Sequence, residues 1–593
     1  MLIAKFCAYL IPLAALSGIA TAQTSPATPP TSPAVVPTVL DRDHEFDQGS
    51  GLRLSNLSPV QIDNLVTLGR VWGFLKYYHP AVIAGKRHWD YDLFRVLPRV
   101  LAAPSRAAGS KVLNDWIDGL GKVLPCAPCA ELATGDLQFG PDVGWIGDHP
   151  ILGTELSKRL TAIYERRRAN QSQFYVAIQP QTGQAVFRHE LAYADQHFPD
   201  PGLQLLTLYR FWNIVEYWYP YRDVIGEDWS KVLRDFVPRF AEAPDRDVYV
   251  QALMKLIATV HDSHANLWSS LDARPPVGPC RLPINLQFVG GELVVRGSLP
   301  GAVSSDSGLD VGDVIASLDG VPVPDLVDRW KPFYGASNDA SARRDMALSF
   351  TQGPCGDVTV RVTRNEAPME IRTRRINVEK FDEGAVRRAD QPGDTFQRLT
   401  PTVSYVKLSS IKLEDIPSII DGSTGSHGLI VDLRNYPSAF VVLELGGHFV
   451  TETTPIVLFT MPDLNTPGAI HWGPTISLAP KQPYFPGKIV ILVDEFTQSQ
   501  AEYTALALRA APNSIVIGGA TAGADGNIDP FLLPGRLNTT MSGIGVFHPD
   551  RRPTQRVGII PDVRVEPTVA GIRAGRDEVL EAAIQTIDDS GTR

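Results

Sequence analysis

Several classes of protein are excluded by what this sequence has little of. It contains 5 cysteines in 593 residues, and one of them, Cys7, falls in the first apolar stretch. It lacks a cationic surplus: 55 Lys and Arg stand against 65 Asp and Glu, a net charge of −10 with no basic stripe. Without such a stripe there is nothing to displace counterions from a phosphate backbone, so no nucleic-acid partner is expected. Beyond the N-terminus there is no apolar run long enough to cross a bilayer. Lysine is also missing from the whole of the chain after Lys488. The composition that remains, 44% hydrophobic and 20% charged, is that of an ordinary globular chain. Its length suits roughly three or four domains.

The N-terminal residues MLIAKFCAYLIPLAALSGIATAQ combine Lys5, a short apolar segment and Ala20-Thr21-Ala22. This predicts a signal peptide over 1–22, export to the periplasm or the medium, and a mature form without a membrane span. Residues 23–55 read as a Pro/Ser-rich linker. Cys126, Cys129, Cys280 and Cys355 remain after cleavage. An even number in an oxidising compartment predicts disulfides, with Cys126–Cys129 and Cys280–Cys355 favoured among three connectivities because the second pair flanks one compact module. The CAPC stretch also fits a redox motif but lacks the strand–helix setting that such a motif needs. Nearby histidines lack the spacing of a zinc site.

Two segments repeat without a gap. LGRVWGFLKYYHP (68–80) aligns with LYRFWNIVEYWYP (208–220), 140 residues on, and the same offset matches Trp89 with Trp229, Pro98-Arg99 with Pro238-Arg239 and Ala103-Pro104 with Ala243-Pro244. So rare a set of matches in one register predicts an internal duplication of helical modules, 56–195 and 200–275. Apolar residues at i, i+3, i+4 and i+7 make the repeated segments amphipathic helices whose aromatics belong to a core. The copies diverge where chemistry could enter. Copy one has GKVLPCAPC, whereas copy two has VHDSHANL, with His261, Asp262, Ser263 and His264 on one turn. The first copy, lacking those histidines, reads as scaffold or substrate gate.

From 280 to 376 the pattern changes to short strands. Gly308-Leu309 followed by Val311-Gly312-Asp313-Val314-Ile315 and Asp319-Gly320 resembles a PDZ domain, a module that binds peptide ends as an added strand. From 395 to 593 Val/Ile-rich strands such as GLIVDLR and KIVILVD alternate with helices, predicting a buried parallel sheet and a C-terminal helix. The fold class expected is multidomain α+β.

Within that last region lies VDEFTQSQAEYTALALRAAP (493–512), where Ser499 precedes Glu502 by three positions at the start of a helix. Ser-x-x-Glu is the capping-box pattern, so Ser499 has a structural reading as well as a chemical one. The runs GLIVDLRNYP, VDEFTQSQAEYTA, IGGATAGADGN and VGIIPDVRVEPT, taken together, resemble the C-terminal-processing (tail-specific) serine proteases over residues 200–585. The resemblance implies a crotonase-like ββα-spiral core with Ser499 as nucleophile. The commonest branch of that family pairs its serine with a lysine, but here Ala524 stands at the lysine position.

The tricorn-like branch uses instead a histidine directly after a serine, supplied before the PDZ, and Ser263-His264 match that pattern. By this resemblance His264 is the general base, Ser263 orients it, and a fourth residue stands behind. That fourth position is glutamate in the family and Gln555 here, an amide that can orient but cannot stabilise a cation as a carboxylate does. The Gln500 N–H is the first expected oxyanion donor, and the second is expected near Tyr436 to Ala439, where Ser438-Ala439 replaces the family's Gly-Gly.

His261, His548 (in a Pro-Asp turn), Asp525 (a turn residue near the site) and Asp562 rank lower as functional residues. The reading is an exported serine endopeptidase acting on unstructured or C-terminally presented polypeptides by acyl transfer, with no metal or organic cofactor. A homo-oligomer is left open. Two alternatives stay beside it: a catalytically degenerate peptide-binding scaffold of the cell envelope, motivated by Ala524, Gln555 and Ser438, and a hydrolase of a non-peptide acyl substrate.

Overall fold

A computed structural model describes residues 37–299, 307–377 and 390–591. The expected signal peptide, part of the linker, and short pieces of the β-module and of the segment that follows it lie outside the described residues. Among the described residues no helix is long and apolar enough to cross a membrane.

The duplication is realised element by element. Helices Pro59–Tyr78, Trp89–Leu101 and Arg106–Asp118 are matched by Pro201–Trp218, Trp229–Ala241 and Arg246–Ala258. The third helix of each copy is capped by a polar side chain, Ser105 or Asp245, that accepts a backbone N–H in the first turn. Each copy also carries the same indole clasp. Trp72 Nε1 donates to Trp89 O at 3.2 Å and Trp89 Nε1 to Trp72 O at 3.1 Å; Trp212 and Trp229 do likewise at 2.7 and 3.2 Å. This reciprocity satisfies the indole N–H groups inside an apolar core.

The copies pack on each other through their first helices. A Cβ at Gly73 would lie 1.7 Å from Asn213 Oδ1, and one at Gly69 2.6 Å from the Tyr209 ring, so glycine allows the approach. Asn213 Nδ2 then donates to Gly69 O at 3.0 Å and Tyr209 to Leu65 O at 2.8 Å.

The β-module holds an antiparallel sheet built from Ile284–Val289, Glu292–Ser298, Val314–Leu318, Gly356–Arg364 and Ala367–Asn377, with helix Asp339–Phe350 packed through Met346 and Phe350. Cys280 is bonded to Cys355 and Cys126 to Cys129, the pairing favoured from the sequence.

The C-terminal region is a sheet ordered Phe396–Arg398, Val403–Lys407, Gly428–Asp432, Lys488–Val493, Ser514–Gly518, Val563–Arg564. All its pairings after the first are parallel. Helix Gln500–Leu508 covers one face and helix Glu578–Gly591 the other, which is why the central strands are apolar on both sides. A second sheet (Ile470–Leu478 with Thr454–Pro462) and the hairpin Ile528–Leu533/Leu537–Ser542 reach from this region to the helical half. Neither was anticipated from the sequence.

Candidate active site

In an open parallel sheet the carboxyl ends of the strands are where ligands bind. Three connections meet there: 433–441 after Asp432, 494–499 after Val493, and 519–527 after Gly518. Ser499 ends the second. It has φ 56° and ψ −122°, a conformation costly for any residue with a Cβ, and its side chain makes no capping bond to the helix it precedes. A strained residue between strand and helix lifts its hydroxyl clear of the sheet, half-buried at the positive end of the helix dipole.

Glu502 reaches back toward the Ser499 N–H, but without a bond from the Ser499 side chain the capping box is not formed. Its carboxylate is fully buried and accepts bonds from the Thr521 hydroxyl, the Gly523 N–H at 2.7 Å and the Ala524 N–H at 2.9 Å. Burial pushes it up to about 7, against the pull of those donors. Glu502 thus anchors loop 521–524, whose Ala524 carbonyl accepts the Ser499 N–H at 2.8 Å.

The same loop leads to His264. Gly543 N–H donates to Asn527 O at 2.6 Å, closing the base of the hairpin, and beside it the Ser542 hydroxyl lies 2.9 Å from His264 Nδ1. Asp262 stands behind, with no exposed surface. It accepts the Ser542 N–H at 2.7 Å, the Ser542 hydroxyl at 3.1 Å and the His264 N–H at 3.0 Å, and lies 3.8 Å from Nδ1. Burial lowers the His264 pKa; the Asp262 carboxylate opposes that, and the Arg344 guanidinium adds to it. Arg344 in turn donates to Glu495 O and Gln498 Oε1, on the turn that carries Ser499. Segment 521–527 therefore bonds to Ser499 at one end and, at the other, to Gly543, the residue that follows Ser542.

Ser263 and Gln555 are buried here but do not touch the imidazole, which corrects the expectation that they orient it. Ser263 and Ser337 exchange bonds, each backbone N–H donating to the other's hydroxyl at 2.9 Å, because the strap 335–338 from the β-module passes over this turn. Gln555 Nε2 donates to Ser337 Oγ at 3.3 Å and to Tyr219 Oη at 3.2 Å, and Tyr219 bonds to Asp262. The amide is thus the far end of a chain leading to Asp262. Asp262 was singled out only as part of the HDSH cluster, and nothing around Ser542 marked it in the sequence.

Ser438 also requires correction. Its N–H already donates to Leu408 O at 2.9 Å and its hydroxyl to Ile411 O at 2.6 Å, so it has no N–H to offer an oxyanion. The Gln500 N–H faces the phenol oxygen of Tyr436, which also bonds to the Ser499 side chain, although the Tyr436 side chain as a whole stays 45% exposed. His261 turns away to Glu227 at 3.4 Å, and His548 sits in a surface turn closed by Arg551 N–H to its carbonyl at 2.8 Å. Asp562 is structural, accepting the Val516 N–H at 2.8 Å. Asp525 accepts the Gly526 N–H at 2.7 Å, its second oxygen has no partner, and burial with the nearby Glu502 carboxylate pushes it well above the carboxylate range.

Residues 402–565, which span this sheet and its loops, match peptidase family S41. The chain carries an S41 peptidase domain and is a serine-type peptidase. Beyond that domain, the chain is 24% identical over 401 residues to the chloroplastic C-terminal processing peptidase of Tetradesmus obliquus, covering 62% of this chain and 78% of that one. Among solved structures, mature CPAF complexed with lactacystin is 15% identical with a TM-score of 0.52, over 66% of this chain and 99% of that chain. Mature CPAF alone is 14% identical with a TM-score of 0.51, over 66% and 98%. At these identities the structural likeness is one of fold. It covers 66% of this chain, more than residues 402–565 alone.

Proposed function

We propose that the S41 domain cleaves polypeptides with Ser499 as nucleophile and His264 as general base. What supports this is loop 521–527, which holds the Ser499 N–H through Ala524 and, across Asn527–Gly543, adjoins the Ser542 hydroxyl on His264 Nδ1. With Nδ1 engaged, Nε2 is the nitrogen left to take the serine proton and return it to the leaving amine. The lowered pKa keeps the ring neutral and able to accept that proton. Asp262, rather than Ser263 or Gln555, supplies the carboxylate that steadies the imidazolium formed in the step. The Gln500 N–H serves as oxyanion donor, with the substrate carbonyl oxygen displacing the Tyr436 phenol from it.

In the same reading the core is crotonase-like, the β-module is a PDZ domain that presents chain ends, and the protein is exported. The name of the algal relative supports C-terminal processing as the type of cleavage. An unfolded protein substrate offered to wild type and to Ser499→Ala tests the proposal. Cleavage by the first and none by the second is expected, and equal cleavage by both would overturn it. An enzyme that hydrolyses small esters but no polypeptide would favour the non-peptide alternative.

A further inference from the structure

The duplication sets two arginines at equivalent positions, Arg70 and Arg210, 140 residues apart. Arg210 is buried and ion-paired, although its Nε makes no well-directed hydrogen bond. It pairs with Asp90 and with Glu190, each at 2.7 Å, and donates to the carbonyls of Leu191 and Leu532, each at 2.8 Å. Arg70 has none of this. Among the described residues it makes no hydrogen bond or ion pair, its Nε is sealed from solvent without an acceptor, and its guanidinium lies 4.6 Å from the centroid of the Trp145 ring.

Arg70 faces a cavity of about 120 Å³. Asp63, one wall of it, is already taken by Arg106 at 2.6 Å and by Arg234. Asp148, on the other wall, is engaged in accepting the Ile151 N–H at 3.2 Å at the start of its own short helix. Asp142, Glu216 and Asp148 lie near enough to act on Arg70 through their charge, yet none of them makes a hydrogen bond or ion pair with its guanidinium. Trp145, Ile151 and Leu152 supply apolar surface around it.

We propose that this cavity binds a carboxylate ligand with a short apolar body. The carboxylate would take the two-pronged position on Arg70 that Asp90 and Glu190 supply to Arg210, and the body would lie on Trp145 and Leu152. A free short acid and the C-terminal residue of a polypeptide share that chemistry. The inference does not depend on Ser499 being the nucleophile.

The test uses the full chain carrying Ser499→Ala, so that no peptide is consumed, and measures titration heats and the shift in melting temperature. The probes are N-acetyl-leucine, N-acetyl-leucinamide, and a ten-residue peptide ending in leucine as free acid and as amide. The free acids are expected to bind and raise the melting temperature, and the amides to bind at least tenfold more weakly. Tighter binding of the peptide acid than of N-acetyl-leucine identifies chain ends as the ligand, and the reverse identifies a free acid. Arg70→Gln should abolish binding while changing the melting temperature of the unliganded protein by no more than Trp145→Ala does, since it loses the contact with the Trp145 ring but no hydrogen bond or ion pair, and Trp145→Ala should weaken binding. Equal binding of acid and amide, no binding of either acid at millimolar concentration, or acid binding that survives Arg70→Gln overturns the proposal.

Discussion

His264 Nδ1 rests on the Ser542 hydroxyl, with Asp262 behind it, and in the proposed mechanism this arrangement sets the pH behaviour of the site. A base must be neutral to accept a proton, and burial favours the neutral ring. The acid limb of kcat/KM is therefore expected below the ordinary imidazole value of about 6.5. Asp262→Asn removes the charge that opposes this shift, so the limb should move lower still while kcat falls by about 10²–10⁴-fold; a pH–rate profile of both proteins checks it. Gln555→Glu would place a carboxylate where it competes with Asp262 for the Tyr219 hydroxyl proton. A loss of about tenfold in kcat/KM is expected rather than a gain. At this scale the sequence marked Ser499 and His264, because hydroxyl and imidazole stand in recognisable runs. Ser542 and the role of Asp262 were hidden, since they depend on where a hairpin nearly 280 residues further along happens to end.

Among the elements, the paired first helices depend on what their glycines leave out. Gly73→Ala places a methyl 1.7 Å from Asn213 Oδ1 and should destabilise the protein by about 1–3 kcal/mol in denaturant unfolding. Asn213→Ala in the same chain removes the clash and should recover part of that loss, whereas the two changes would simply add if the helices met elsewhere. The helices and the parallel sheet were legible because tryptophan, proline and Val/Ile runs are distinctive. The hairpin Ile528–Leu533/Leu537–Ser542 was not: it carries Pro530 and a run of Asn and Thr, so its buried and exposed positions do not alternate as apolar and polar.

Across the whole molecule, the proposed site draws on three regions. The helical half brings His264, the S41 domain brings Ser499, and strap 335–338 of the β-module ties Ser263 through Ser337 and Thr521 through Asn338, whose Nδ2 donates to Thr521 O at 2.8 Å. Cys280–Cys355 closes the β-module over a separation of 75 residues. Replacing both cysteines by serine should lower stability by about 2–4 kcal/mol, and activity should decline with it as the strap loosens; melting curves and turnover measured on the same preparation check this. The sequence signalled each region separately but not the strap, whose Gly335-Ala336-Ser337-Asn338 carries no mark of the contacts it makes.

The assembly of Ser499 with His264 is tested most directly by reacting the protein with a fluorophosphonate and locating the label by mass spectrometry. The label is expected on Ser499, absent from Ser499→Ala, and formed at least 10²-fold more slowly in His264→Ala, with the rate in wild type holding until the pH falls below about 6.5. Labelling of Ser499 at an unchanged rate in His264→Ala, or a label on another residue while Ser499→Ala still cleaves polypeptide, would contradict the account.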